Sequence, residues 1–172
     1  MGKTCQTVLC LAPMAGITDW PMRVLCYRMG ADYACSEMVS AIGYLCAKPG
    51  NDAYRRLLAV HPEESNTACQ LFGKDPSVMG EAAAKVTAME RFQSLDINMG
   101  CPARKVVSSG EGSALLLDPE RAYRVMEAVK RNTDLPVTVK TRLGYDADSM
   151  NALELGRAAQ QLGFRWIAIH GR

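Results

Sequence analysis

Hydrophobic and polar positions fall in blocks whose period changes along the chain. The apolar run "TVLCLAPMAG" (7–16) is short and ends in Gly. In "TDWPMRVLCYRMG" (18–30), Thr18 and Asp19 stand as caps, Pro21 lies in the first turn and Gly30 closes the segment, which predicts a helix with start and stop signals. "YACSEMV" (33–39), "TACQLFG" (67–73), "SLDINMG" (94–100), "LPVTVKTRLG" (135–144) and "WIAIHG" (166–171) have the length and composition of strands. Between them, 75–90 and 118–131 each open on Asp-Pro. The first carries Val78, Met79, Ala82, Val86 and Met89 at helical spacing, and the second puts Ala122, Val125, Met126 and Val129 on one face. A further helix is predicted over 146–163, ending at Gly163. Residues 40–66 show less pattern, with a helical stretch around 51–60, and "SSGEGSALL" (108–116) reads as a mobile loop.

Strands alternating with helices of this length make βαβ units and a parallel sheet. No GxGxxG follows the first apolar run, which removes the best evidence for a doubly wound nucleotide-binding fold. The α/β architecture that remains is the (β/α)8 TIM barrel, whose active site lies at the C-terminal ends of the strands. A closed barrel takes about 250 residues, whereas this chain of 172 carries six strands. Residues 1–172 are therefore expected to be the N-terminal part of such a barrel, incomplete at about six βα units, with open edges on the first and sixth strands.

Composition narrows the function classes. With 48% hydrophobic residues the chain can fill a core, and a net charge of +2 permits a polyanionic partner without requiring one. The seven cysteines are scattered without a CxxC pair, and His61 and His170 are the only histidines. That pattern supports neither a zinc site nor a disulfide framework, so no metal is expected, and reduced thiols suit a cytoplasmic protein. No apolar run has the length of a signal peptide or a membrane span, so no membrane partner is expected.

The strand ends carry the chemistry. The first run ends in Pro13-Met14-Ala15-Gly16, the second strand near Glu37-Met38, the third carries Gln70, and the fourth carries Asn98 and then Cys101. In "VTVKTR", alternation puts Thr138, Lys140 and Arg142 on one face and Val137, Val139 and Thr141 on the other. In the last strand Ala168, His170 and Arg172 oppose Ile167 and Ile169. Each polar residue also has a plain reading. Cys101 could fill space at a turn; Lys140 could lie on an exposed edge or pair with Asp96 or Glu37; His170 could be a satisfied core histidine. Against these stands the convergence of Gln70, Asn98, Cys101, Lys140, Arg142 and His170 on one rim, which points to a polar pocket.

"APMAGITD", "SEM", "QLFG", "DINMGCPA", "GSALL", "VTVKTRLG" and "IHGR", in this order and across nearly all of the chain, resemble the motif series of the bacterial tRNA-dihydrouridine synthases. The resemblance implies a TIM barrel that binds FMN, reduces a uracil of tRNA to dihydrouracil, and is recharged by NADPH. It implies that Cys101 is the proton donor for carbon 5 of the ring; a free thiol, with a pKa of about 8.5, is mostly protonated at neutral pH. It implies FMN contacts from Pro13, Met14, Ala15, Gln70, Lys140 and His170, and less directly a role for Asn98 and Arg142 in holding the target uracil. A cation at Lys140 would favour the anionic reduced flavin. The target base has to leave the tRNA fold to reach such a pocket. Arg104, Lys105, Lys48, Arg55 and Arg56 are candidate phosphate contacts, and Glu111 runs against RNA contact by the 108–116 loop. The family's C-terminal helical tRNA-binding domain is expected outside these residues. Two other readings compete: a flavin barrel acting on a free pyrimidine such as dihydroorotate, and a non-catalytic RNA-binding or structural fragment. Orotate would oxidise the flavin in the first, and no flavin would bind in the second.

Overall fold

The computed structural model describes residues 7–171, and Arg172 lies outside them. Six parallel strands pair strictly in chain order. They are β1 (Cys10–Leu11), β2 (Tyr33–Ser40), β3 (Thr67–Phe72), β4 (Ser94–Met99), β5 (Val137–Arg142) and β6 (Trp166–His170). Helices α1 (Trp20–Arg28), α2 (Ala41–Cys46), α3 (Asp52–Leu57), α4 (Pro76–Thr87), α5 (Arg104–Val107), α6 (Pro119–Arg131) and α7 (Ala152–Gln161) form the connections, with a 3-10 segment at Gly112–Leu117. α1, α4 and α6 begin where an aspartate accepts a backbone N–H and a proline occupies the first turn, as the sequence indicates.

The sheet is curled. Tyr33 on β2 meets Trp166 on β6 edge to face, ring centroids 4.9 Å apart. Four strand spacings of about 4.8 Å would separate those strands by about 19 Å in a flat sheet, so the strands bend round a shared interior. This is a (β/α)8-type barrel in part: β1 and β6 each pair on one side only among the described residues. The outer faces carry the main core, where Leu95, Ile97, Val137 and Val139 pack against Met79 and Val86 of α4 and Val125 and Met126 of α6. The inner face is small and polar by contrast, with Thr138 and Asp96 buried there. No helix among the described residues is long and apolar enough to cross a membrane.

Several elements depart from expectation. β1 is only Cys10–Leu11, because the chain turns at once: the N–H groups of Ile17 and Thr18 both reach the Met14 carbonyl, and Gly16 has φ +76°. α7 starts at Ala152 rather than near residue 146. Asp146 Oδ1 accepts from the Ser149 hydroxyl (2.6 Å) and the Asp148 N–H (3.2 Å), and this local bonding outcompetes the helix. Residues 40–66 hold two short helices, α2 and α3, where one stretch at 51–60 was expected. The 108–116 segment, expected as a loop, enters a 3-10 turn at Gly112. Gly112, Ser113, Leu115 and Leu116 are buried in the 3-10 turn, whose backbone is tied to Cys101.

Candidate functional site

The end of β4 sets the geometry. Asn98 turns its Oδ1 toward the backbone that follows and accepts from the N–H groups of Cys101 (3.0 Å) and Gly100 (3.2 Å). Gly100 lies so close to β5 that an added Cβ would sit 3.1 Å from the Thr141 carbonyl carbon, which is why glycine stands there. Arg142, at the end of β5, donates from Nε to the Gly100 carbonyl at 2.8 Å. On the far side Ser113 N–H donates to the Cys101 carbonyl at 3.0 Å, and an added Cβ on Gly112 would sit 2.7 Å from that oxygen. Cys101 is thus held by β4, β5 and the 3-10 turn, with its thiol half-buried.

Around it opens a cleft of about 270 Å³ lined by Pro13, Ala15, Met38, Gln70, Asn98, Cys101, Lys140, Arg142 and His170. The sequence-predicted residues are therefore brought together, with one exception. Met14 is outside this lining and 39% exposed, and its backbone is instead bonded to the Thr18 hydroxyl (N–H to Oγ1, 3.0 Å). His170 is exposed at the end of β6, paired in register with Arg142. Lys140 lines the cleft without an ion-pair partner among the described residues. Glu37 is committed elsewhere, accepting from the Gly16 N–H, so it also ties the 13–16 turn to β2.

Beneath the cleft lies a row of polar side chains on the inner barrel face. Asp96 accepts from Gln70 Nε2 at 2.7 Å and from the Thr138 hydroxyl, and Gln70 Oε1 accepts from Asn98 Nδ2 at 2.9 Å. A bulge in β2 lets the Ser36 hydroxyl accept the Gln70 N–H at 3.1 Å. Burial pushes the Asp96 carboxyl up to about 6, while its bonds to Gln70 and Thr138 and the nearby Lys140 charge pull the other way. It is thus mostly ionised at neutral pH. In the sequence Asp96 stands out only as a possible partner for Lys140. The two-residue period that links it to Asn98 on one face was the available signal. Gly112 and Ser113 had no such signal, because their role depends on a chain reversal.

The basic residues separate into two groups. Arg104 and Lys105 are exposed on α5, immediately after Cys101 and Pro102. Lys48 and Arg55 line a different groove on the outside of the barrel, with Lys85 and Arg91. Arg56 is exposed on α3, and Glu111 accepts from Ser109 Oγ at 2.8 Å beside the rim.

The family model for dihydrouridine synthase (Dus) matches residues 10–172. The chain belongs to the dihydrouridine synthase family. It is similar to a probable tRNA-dihydrouridine synthase of Rhodobacter capsulatus, 46% identical over 164 residues, covering 94% of this chain and 49% of the relative. It is also similar to tRNA-dihydrouridine synthase B of Pseudomonas aeruginosa, 42% identical over 170 residues, covering 98% of this chain and 50% of the relative. A third relative, tRNA-dihydrouridine synthase B of Vibrio parahaemolyticus, is 43% identical over 165 residues, covering 95% and 50%. The chain spans about half the length of these curated relatives.

Proposed function

We propose that this chain carries the catalytic face of a tRNA-dihydrouridine synthase, which reduces the C5–C6 double bond of particular tRNA uridines with FMN as cofactor and NAD(P)H as reductant. The observation that carries the reading is the pairing of an anchored, half-buried thiol at Cys101 with the Lys140 side chain in one cleft that no carboxylate lines. A cation in such a partly apolar cleft fits a ligand that brings negative charge. Gln70 fits the same ligand: after its bonds to Asp96 and Asn98 it keeps one N–H and one lone pair.

In this reading Pro13, Ala15, Gln70, Lys140 and His170 would hold FMN, and Met14, outside the cleft, would not. The backbone of the 13–15 turn gives close approach, and His170 serves the exposed end. Bound there, FMN reduced by NAD(P)H would supply hydride for carbon 6 of the uracil. The Cys101 thiol gives its proton to carbon 5 and is reprotonated from solvent. Asn98 and Arg142 are placed at the same wall to hold the uracil edge, and Arg104 and Lys105 to meet tRNA phosphates. Residues 1–172 then form the N-terminal part of the FMN-binding barrel. The remaining strands and a helical tRNA-binding domain would then lie outside these residues. Reduced cysteines and a tRNA substrate would suit a cytoplasmic protein.

The test is a visible spectrum of the protein carrying this chain, followed by anaerobic mixing of its reduced form with tRNA. Flavin bands, and their reappearance on adding tRNA lacking dihydrouridine, are expected. Absence of flavin, or oxidation by orotate and not by tRNA, would overturn the reading.

A further inference from the structure

We propose that Asp96 is a positioning residue, which fixes the Gly100–Cys101 backbone through an oriented relay of two side-chain amides. The inference rests on the proposed role of Cys101 for its functional meaning, but its geometry stands alone.

The relay runs along the inner barrel face from β4 to β3 and back to β4. Asp96 accepts from Gln70 Nε2 (2.7 Å), Gln70 Oε1 accepts from Asn98 Nδ2 (2.9 Å), and Asn98 Oδ1 accepts from the N–H groups of Cys101 (3.0 Å) and Gly100 (3.2 Å). A primary amide donates at one end and accepts at the other, so its two orientations are inequivalent only if its neighbours are. Here both ends of the relay are fixed in kind. The far end meets two backbone N–H groups, which only donate. The near end meets a carboxylate, ionised at neutral pH, which only accepts. Turning the Gln70 amide over would force Asn98 to turn as well, setting its NH2 against the donors of Gly100 and Cys101.

The relay is also sheltered. Gln70 is 1% exposed, Asp96 5% and Asn98 8%, so water cannot readily substitute for a lost partner. Thr138 holds the other carboxylate oxygen, and Ser36 holds the Gln70 backbone, so Asp96 cannot swing away. A buried acid that makes no ion pair within the described residues, yet orders two amides aimed at the proposed proton donor, has a positional role.

Hydrogen exchange of the Gly100 and Cys101 amides reads the relay directly, in the protein carrying this chain. The interior amides of β4 serve as an internal control for global opening. Asp96→Asn offers an oxygen to Gln70 and an N–H to the Thr138 hydroxyl, and should keep wild-type protection. Asp96→Leu removes the acceptor and should speed exchange at Gly100 and Cys101 several-fold with the control unchanged. Gln70→Glu sets two carboxylates face to face and should do the same. Asp96→Asn combined with Gln70→Glu restores a donor opposite an acceptor and should return protection, which keeps the test decisive if Asp96→Leu does not fold. Wild-type exchange in Asp96→Leu, fast exchange in Asp96→Asn, or a double variant as fast as Gln70→Glu would each overturn the proposal. In tRNA reduction, Asp96→Leu should lower kcat several-fold with KM little changed. If the wild-type protein does not reduce tRNA at all, the functional reading fails while the exchange result still decides the relay.

Discussion

Removing the carboxylate of Glu64 should destabilise the barrel more than any change at its polar rim. Arg23 on α1 and Glu64 before β3 form an ion pair at 2.6 Å, with side chains 1% and 0% exposed. The guanidinium reaches Glu64 again from Nη2 (3.2 Å), and donates to the carbonyls of Thr18 (2.8 Å) and Ala59 (2.7 Å). Glu64 also accepts from the His61 N–H (2.8 Å) and the Thr67 hydroxyl (2.9 Å). Glu64→Ala would strand a buried cation and orphan two donors. Breaking such a pair by removing one partner costs about 3–5 kcal/mol. For a domain of this size that is a fall in Tm of roughly 6–20 °C. Urea melts should show a lower midpoint with an unchanged m-value. Arg23→Met together with Glu64→Leu removes both charges, so it should recover part of the loss, short of the cost of about 1–3 kcal/mol for each buried carbonyl left bare at Thr18 and Ala59. The Thr18 hydroxyl is bonded to the Met14 N–H at 3.0 Å, so the damage should extend to the 13–16 turn. A Glu64→Ala loss below about 1 kcal/mol, or a double variant no better than the single, would show that the pair is not the buried, coupled unit described.

Under the proposed function, Cys101→Ala should leave FMN bound but lower the rate of uracil reduction by about 100- to 10,000-fold; an undiminished rate in single-turnover mixing with tRNA would remove Cys101 as the proton donor. Lys140→Ala should weaken FMN retention or lower the flavin potential, since it removes the cation from the cleft; unchanged flavin content and potential would place Lys140 elsewhere. Because burial raises Asp96 to about 6 in the folded state, above the unfolded value of about 3.9, the folded state binds the extra proton, and stability should fall as pH rises from about 4 to 6. Asp96→Asn should flatten that slope in urea melts, and an equal slope in both proteins would show that Asp96 does not titrate in this range.

The sequence was most informative where one residue type answers one local need. Asp75-Pro76 and Asp118-Pro119 mark helix starts because the cap and the fixed proline φ act within a single turn. The alternation in 137–142 places Lys140 and Arg142 correctly because one strand face must be apolar against α4 and α6. It failed where the deciding contact is distant or where local bonds compete. The 3-10 turn at Gly112 reads as a loop until Cys101 packs against it. The Asp146–Ser149 bonds delay α7 although the segment has helical composition. Asp96 was legible as an inner-face residue, but its partner Gln70 lies on another strand, and only strand pairing (Gln70 with Asp96) reveals the relay.

The two buried acids differ in what they do to stability. Glu64 sits beside Arg23, and its charge is met in full. Asp96 is equally enclosed, yet no ion pair meets it; two neutral side chains bind it and burial raises its pKa. A shift of about two pKa units corresponds to roughly 3 kcal/mol against the ionised folded state at neutral pH. A leucine on that face would avoid this cost and still fill the space, so packing alone does not account for an aspartate. The carboxylate differs from it in accepting from Gln70 Nε2, which keeps the Gln70 amide from turning over. A group that weakens the fold while removing an alternative arrangement beside the Cys101 thiol is what a pre-organised site requires. The stability lost at Asp96 and the order imposed at Cys101 are two consequences of one buried carboxyl group.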